Sequence, residues 1–123
     1  MSKKILIIDD VQDTIDILTD RLEPLGYEVE GRVNPKEGQW ATSKNRPDLI
    51  VLDINMPGWR DGLGFMTSLK HHPNLLGIPI LIYTSLKDPE IRAKAVEGGA
   101  AGFFVKLEED TALLDRIKAL LAS

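Results

Sequence analysis

Cysteine is absent from the 123 residues, which excludes disulfides, thiolate metal sites and cysteine nucleophiles and leaves an apolar core to hold the chain. Long hydrophobic runs are absent too. Unbroken apolar runs such as Ile5 to Ile8 and Leu49 to Leu52 reach only four residues, against the roughly 20 that cross a bilayer, so no membrane insertion is expected. The stretch behind Met1-Ser2-Lys3-Lys4 is too short for a secretory signal, and the expected compartment is the cytoplasm. No basic block stands out, and 15 Lys and Arg against 19 Asp and Glu give a net charge of −4, which argues against direct nucleic-acid binding. Internal repeats, low-complexity tracts and linkers are also missing. At about 100 to 200 residues per domain the length fits one domain over 1–123. The 43% of hydrophobic residues is enough to bury about two thirds of the unfolded surface.

What is present alternates. Ile5-Leu6-Ile7-Ile8, Leu49-Ile50-Val51-Leu52 and Ile80-Leu81-Ile82-Tyr83 are apolar without a polar face, as strands covered on both sides of a parallel sheet must be. Tyr27, Val29, Gly31 and Val33 alternate with charged residues and read as an edge strand, and Gly102 to Val105 closes the other edge. Between them the period becomes helical: Val11, Ile15, Leu18, Leu22 and Leu25 share a face that Gly26 ends. Asn34-Pro35-Lys36-Glu37 signals a second helix start, with Trp40 as a partly buried packing residue. Leu63, Met66 and Leu69 mark the third helix, Asp88-Pro89 opens a fourth bearing Ile91, Ala95 and Val96, and Asp110 caps a fifth bearing Leu113, Leu114, Ile117 and Leu120. Five βα repeats with right-handed crossovers predict an α/β, flavodoxin-like doubly wound sheet of order 2-1-3-4-5.

In such sheets the ligand crevice lies beyond the carboxyl ends of the strands. Asp9-Asp10 follows the first strand, Asp53 the third, Thr84 ends the fourth and Lys106 follows the fifth. Capping of the first helix explains Asp9-Asp10 taken alone but neither Asp53 nor Lys106. Carboxylates crowded together stay ionised only beside cations, and an oxygen-only site of this kind suits Mg²⁺. A carboxylate can attack phosphorus to form an acyl phosphate, and phosphoryl transfer asks mainly for positioning and neutralisation of oxygens. Asp53 is then the expected acceptor, Lys106 and Mg²⁺ the charge clamps, and Thr84 the hydroxyl donor.

With these residues in order, the whole chain resembles the receiver domains of two-component response regulators. Ile5 to Asp10 resembles the family's first strand and acid pair, Asp53-Ile54-Asn55-Met56-Pro57-Gly58 its phosphoacceptor segment, Tyr83-Thr84-Ser85 its switch threonine, and Phe103-Phe104-Val105-Lys106 its aromatic-x-x-Lys motif. The resemblance implies a signalling phosphoprotein of a phosphorelay that catalyses only its own phosphoryl transfer and dephosphorylation. Asp53 would take a phosphoryl group from the phosphohistidine of a sensor histidine kinase or phosphotransfer protein. Asp10, Asp53 and the Asn55 carbonyl would hold Mg²⁺, with Asp9 acting through water. Thr84 and Phe103 would switch a surface of helix 4, strand 5 and helix 5 that docks a downstream target protein.

Two departures from the family are visible. Trp59-Arg60-Asp61-Gly62 makes the loop behind the phosphoacceptor one residue longer, and its Trp59 is expected either to reach the crevice or to pack on the third helix. Leu107 stands where proline normally follows the lysine, often after a cis bond. A cis bond costs about 2.5 to 4 kcal/mol before a non-proline residue, so a trans peptide is predicted. A phosphate-independent pseudo-receiver is the runner-up. An aspartate-nucleophile phosphohydrolase fits less well, because its D-x-D pattern is not met. His71-His72 before Pro73 reads as a solvated helix end.

Overall fold

The non-alternating apolar runs form the inner strands β1 (Lys4–Ile8), β3 (Leu49–Leu52) and β4 (Ile80–Thr84), while β2 (Glu28–Arg32) and β5 (Gly102–Val105) form the edges. A computed structural model describes residues 2–56, 63–69 and 71–122 of the chain. All four strand pairings are parallel, in the order β2-β1-β3-β4-β5, as the pattern predicts. The helices are α1 (Gln12–Leu22), α2 (Pro35–Lys44), α3 (Leu63–Leu69), α4 (Pro89–Glu97) and α5 (Asp110–Leu121). Ile5, Ile7, Val51, Leu81 and Tyr83 point to one side, against Ile15 and Leu18 of α1 and Leu113 and Ile117 of α5. Leu6, Ile8, Ile50, Leu52, Ile82 and Phe103 point to the other, against Ala41, Phe65, Met66 and Ala95. Both sheet faces are therefore dry, which is why the central strands carry no polar face.

The starts of α2 and α4 follow the caps in the sequence. The Asn34 carboxamide oxygen accepts from the Glu37 backbone N–H at 2.8 Å, and Asp88 accepts from the Glu90 N–H at 2.9 Å. Several residues differ from expectation. Val11 is exposed because it is the extended residue before α1, off its helical face; Leu25 is exposed in a 3₁₀ turn, Glu23–Leu25, which Pro24 joins to the helix and Gly26 ends at φ 97°. Trp40 is 57% exposed rather than packed. The reason lies two residues earlier: a Cβ at Gly38 would come within 2.6 Å of Ile8 Cδ1, so α2 rests on β1 along its Gly38-Ala41-Thr42 stripe and Trp40 is turned outward under the Arg32 guanidinium. Val96 faces outward likewise, and Ala95 carries the burial of α4. Asp110 sits one residue inside α5, with Glu109 at the cap position. Trp59 and the lengthened loop lie outside the described residues.

Candidate functional site

Strand register builds the site. Ile8 pairs with Leu52, so the next residues, Asp9 and Asp53, emerge side by side where the strands end, and the Asp53 N–H donates to the Ile8 carbonyl at 2.9 Å. Thr84 pairs with Val105, and the Lys106 N–H donates to the Thr84 carbonyl at 2.8 Å, which brings Lys106 up from the neighbouring edge. Asp9, Asp53 and Thr84 are buried, while Asp10 and Asn55 are exposed at the mouth. The Lys106 ammonium lies 2.7 Å from Asp9 Oδ2 and 3.1 Å from Asp53 Oδ2, bridging the two buried carboxylates. Their other oxygens are held by the backbone: Asp9 Oδ1 accepts from the Val11 N–H and Asp53 Oδ1 from the Asn55 N–H, each at 2.9 Å. Thr84 Oγ1 accepts a longer bond from the Leu86 N–H at 3.3 Å.

One carboxylate oxygen each from Asp9, Asp10 and Asp53 can be chosen so that all lie within 4.8 Å of one another. Three negative charges against one lysine leave an excess of two, and an all-oxygen donor set with one exposed member suits a hard divalent ion that keeps part of its water. The residues present therefore fit Mg²⁺. Burial raises the Asp9 carboxyl above its ordinary range, with the Asp53 charge adding to it, and the hydrogen bonds from Lys106 and Val11 offset only part of this. For Lys106, burial works to lower the ammonium, but the Asp9 and Asp53 carboxylates outweigh it and raise the group above its ordinary value. The lysine is thus a fixed positive charge held between the two buried carboxylates.

The loop beyond β5 departs from regular backbone. Among the described residues no peptide bond is cis, so Lys106–Leu107 is trans as predicted. Leu107 has φ 69° and is 86% exposed. The left-handed region costs a branched side chain about 1 to 2 kcal/mol, so neighbouring contacts must hold it there. Asp110 Oδ1 accepts from the Leu107 N–H at 2.8 Å and from the Tyr83 hydroxyl at 2.6 Å. Glu109 Oε1 accepts from the outward-facing Val105 N–H at 3.0 Å, and Lys87 pairs with Glu108. Phe103 is buried on the α4 side of the sheet, with the Arg92 guanidinium 5.4 Å from its ring centre.

A sequence profile of the response regulator receiver domain matches residues 5–118. The chain belongs to this family. It is 32% identical over 120 residues to the response regulator PleD of Caulobacter vibrioides, covering 98% of this chain and 26% of PleD. Against the transcriptional regulatory protein PrrA of Mycobacterium tuberculosis it is 35% identical over 120 residues, covering 98% of this chain and 50% of PrrA. The receiver chain thus spans a quarter to a half of the length of these relatives. Among solved structures it superposes on the chemotaxis protein CheY4 of Vibrio cholerae with a TM-score of 0.88 at 29% identity, covering 98% of this chain and all of that one. A putative response regulator from Chloroflexus aurantiacus gives 0.89 at 30% identity, with full coverage of both chains.

The receiver fold brings all five crevice residues read from the sequence to one end of the sheet. It also shows partners that the pattern did not reveal. Asp9 and Asp10 behave differently: the first is buried against Lys106 and the second is open. Tyr83, read as the end of an apolar run and the neighbour of the switch threonine, spends its hydroxyl on Asp110. A tyrosine ending a fully buried strand was the available signal, since a buried phenol needs a hydrogen-bond partner. No helix among the described residues is long and apolar enough to cross a membrane.

Proposed function

We propose that the domain over 1–123 is a signalling phosphoacceptor in which Asp53 takes a phosphoryl group from the phosphohistidine of a sensor histidine kinase or phosphotransfer protein. The observation that carries this reading is the Lys106 ammonium bridging Asp9 and Asp53 beside an open carboxylate cluster. One Asp53 carboxylate oxygen attacks phosphorus, the P–N bond breaks, and the electron pair returns to the imidazole, which takes up a proton. Asp10, Asp53 and the Asn55 carbonyl are the groups to hold Mg²⁺ directly, with Asp9 acting through water. The ion supplies positive charge for the phosphoryl oxygens. Lys106 would contribute a second fixed charge, and the Thr84 hydroxyl would be the donor that follows the phosphoryl group.

The same groups serve the reverse need. Water attacking the acyl phosphate meets the same charge clamps, so the domain catalyses only its own phosphorylation and dephosphorylation. The proposed output is a docking surface of α4, β5 and α5, shifted when Thr84 and Phe103 respond to the phosphoryl group, and read by a downstream protein in the cytoplasm. Intact-mass measurement after incubation with acetyl phosphate tests the reading. One added phosphoryl group, present in wild type with Mg²⁺ and absent without Mg²⁺ or in Asp53→Asn, is expected. An unchanged mass in wild type would favour a phosphate-independent pseudo-receiver, and turnover of free phosphoesters would favour a hydrolase.

A further inference from the structure

The Lys106 ammonium does its work only if the chain just beyond β5 keeps its path, and that path is set by neither proline nor glycine. Leu107 turns the chain at φ 69°, with its side chain almost entirely in solvent, so no packing of its own holds the turn. The turn is tied from below instead. Asp110 Oδ1 receives the Leu107 N–H at 2.8 Å and the Tyr83 hydroxyl at 2.6 Å, so one carboxylate oxygen joins the turn to the end of β4. Tyr83 is itself buried, next to Thr84 in the chain, and its ring centre lies 6.0 Å from Lys106 Nζ. Burial and the Asp110 carboxylate both push its phenol well above the usual range, which keeps the donor proton in place at any working pH.

We propose that Tyr83 is a positioning residue for Lys106: through Asp110 it clamps the left-handed turn at Leu107 and so fixes the lysine between Asp9 and Asp53. The proposal rests on the phosphoacceptor reading only for its kinetic consequence, because the placement of the ammonium can be observed without any phosphoryl donor. A residue that matters only for packing and one that holds a strained turn make different predictions for Tyr83→Phe, which keeps the ring and removes the hydroxyl. They differ again when Leu107→Asn is added, because asparagine enters the left-handed region at less cost than leucine.

Two readouts on the same folded proteins test this: the ¹⁵N-lysine ammonium signal of Lys106 by NMR without donor, and the rate of mass gain with acetyl phosphate and saturating Mg²⁺. Tyr83→Phe should broaden or shift the Lys106 signal and slow phosphorylation about tenfold, a loss typical of a small misplacement of a charged group. Adding Leu107→Asn should recover at least about a third of the wild-type rate, with the signal returning alongside, since the strained residue no longer needs the clamp. Asp110→Ala, which removes the shared acceptor, should act in the same direction as Tyr83→Phe and stands in for it if that variant does not fold. An unchanged Lys106 signal in both Tyr83→Phe and Asp110→Ala would overturn the proposal, as would a double variant slower than Tyr83→Phe alone. A wild type that shows an ordered Lys106 signal lost in Tyr83→Phe, yet takes no phosphoryl group, would uphold the clamp and refute the phosphoacceptor reading.

Discussion

Lys106 and Asp9 carry opposite charges on the same ion pair and should respond to mutation in opposite ways. Lys106→Ala leaves two buried carboxylates facing one another, so in chelator its melting temperature should fall below that of wild type. The same change makes the cluster more negative. Calorimetry should therefore show Mg²⁺ binding more tightly to Lys106→Ala, while phosphorylation slows by about 10²- to 10³-fold, as for the loss of a charge-stabilising donor. Equal or weaker metal binding would mean that the lysine does not offset the carboxylates. Asp9 is the reverse case. Because folding raises its carboxyl, its ionisation weakens the native state: the favourable contribution is complete below the ordinary value of 3.8 and disappears as pH rises through the raised one. Asp9→Asn removes that loss. Without divalent ions it should melt higher than wild type at neutral pH, with the gap closing towards pH 3. A gap that stayed constant with pH would place its origin elsewhere.

At the scale of elements, the contacts that bring the strand ends into line are close enough to be broken by one methyl group. A Cβ at Gly31 would lie 2.3 Å from Ile15 Cγ2, and one at Gly38 would lie 2.6 Å from Ile8 Cδ1, so α1 and α2 each approach the sheet where a glycine leaves room. Gly38→Ala should cost about 1 to 3 kcal/mol in urea unfolding through overpacking, with the denaturant slope unchanged. Strand order, both edge strands and the caps at Asn34 and Asp88 could be read in advance because each rests on local chemistry: uninterrupted branched residues, alternation, or a side-chain acceptor ahead of proline. The outward turn of Trp40 could not, since it depends on which stripe of α2 meets Ile8. Nor could the difference in burial between Asp9 and Asp10. Adjacent carboxylates look alike in sequence, and only the register of Ile8 with Leu52 decides which is buried beside Asp53. In the Tyr83-Asp110-Leu107 link, Tyr83 and Asp110 are 27 positions apart, beyond any local pattern.

For the whole molecule, a charge cluster on top of a dry two-faced sheet couples ion binding to stability. Mg²⁺ at about ten times its dissociation constant should stabilise the folded state by about 1.4 kcal/mol, visible as a melting point that rises with ion concentration. Asp10→Ala should abolish that rise while leaving the chelator melting point nearly unchanged, because Asp10 is exposed. A full rise in Asp10→Ala would show that the ion binds elsewhere. The central claim, that Asp53 is the acceptor, is tested most directly by locating the acyl phosphate chemically. Wild-type protein treated with acetyl phosphate and Mg²⁺ is reduced with borohydride, which converts an aspartyl phosphate to homoserine, and the peptides are then sequenced by mass spectrometry. Homoserine at position 53 alone is the predicted result; homoserine at 9 or 10, or a phosphoryl group retained on Ser85 or Thr84, would contradict it.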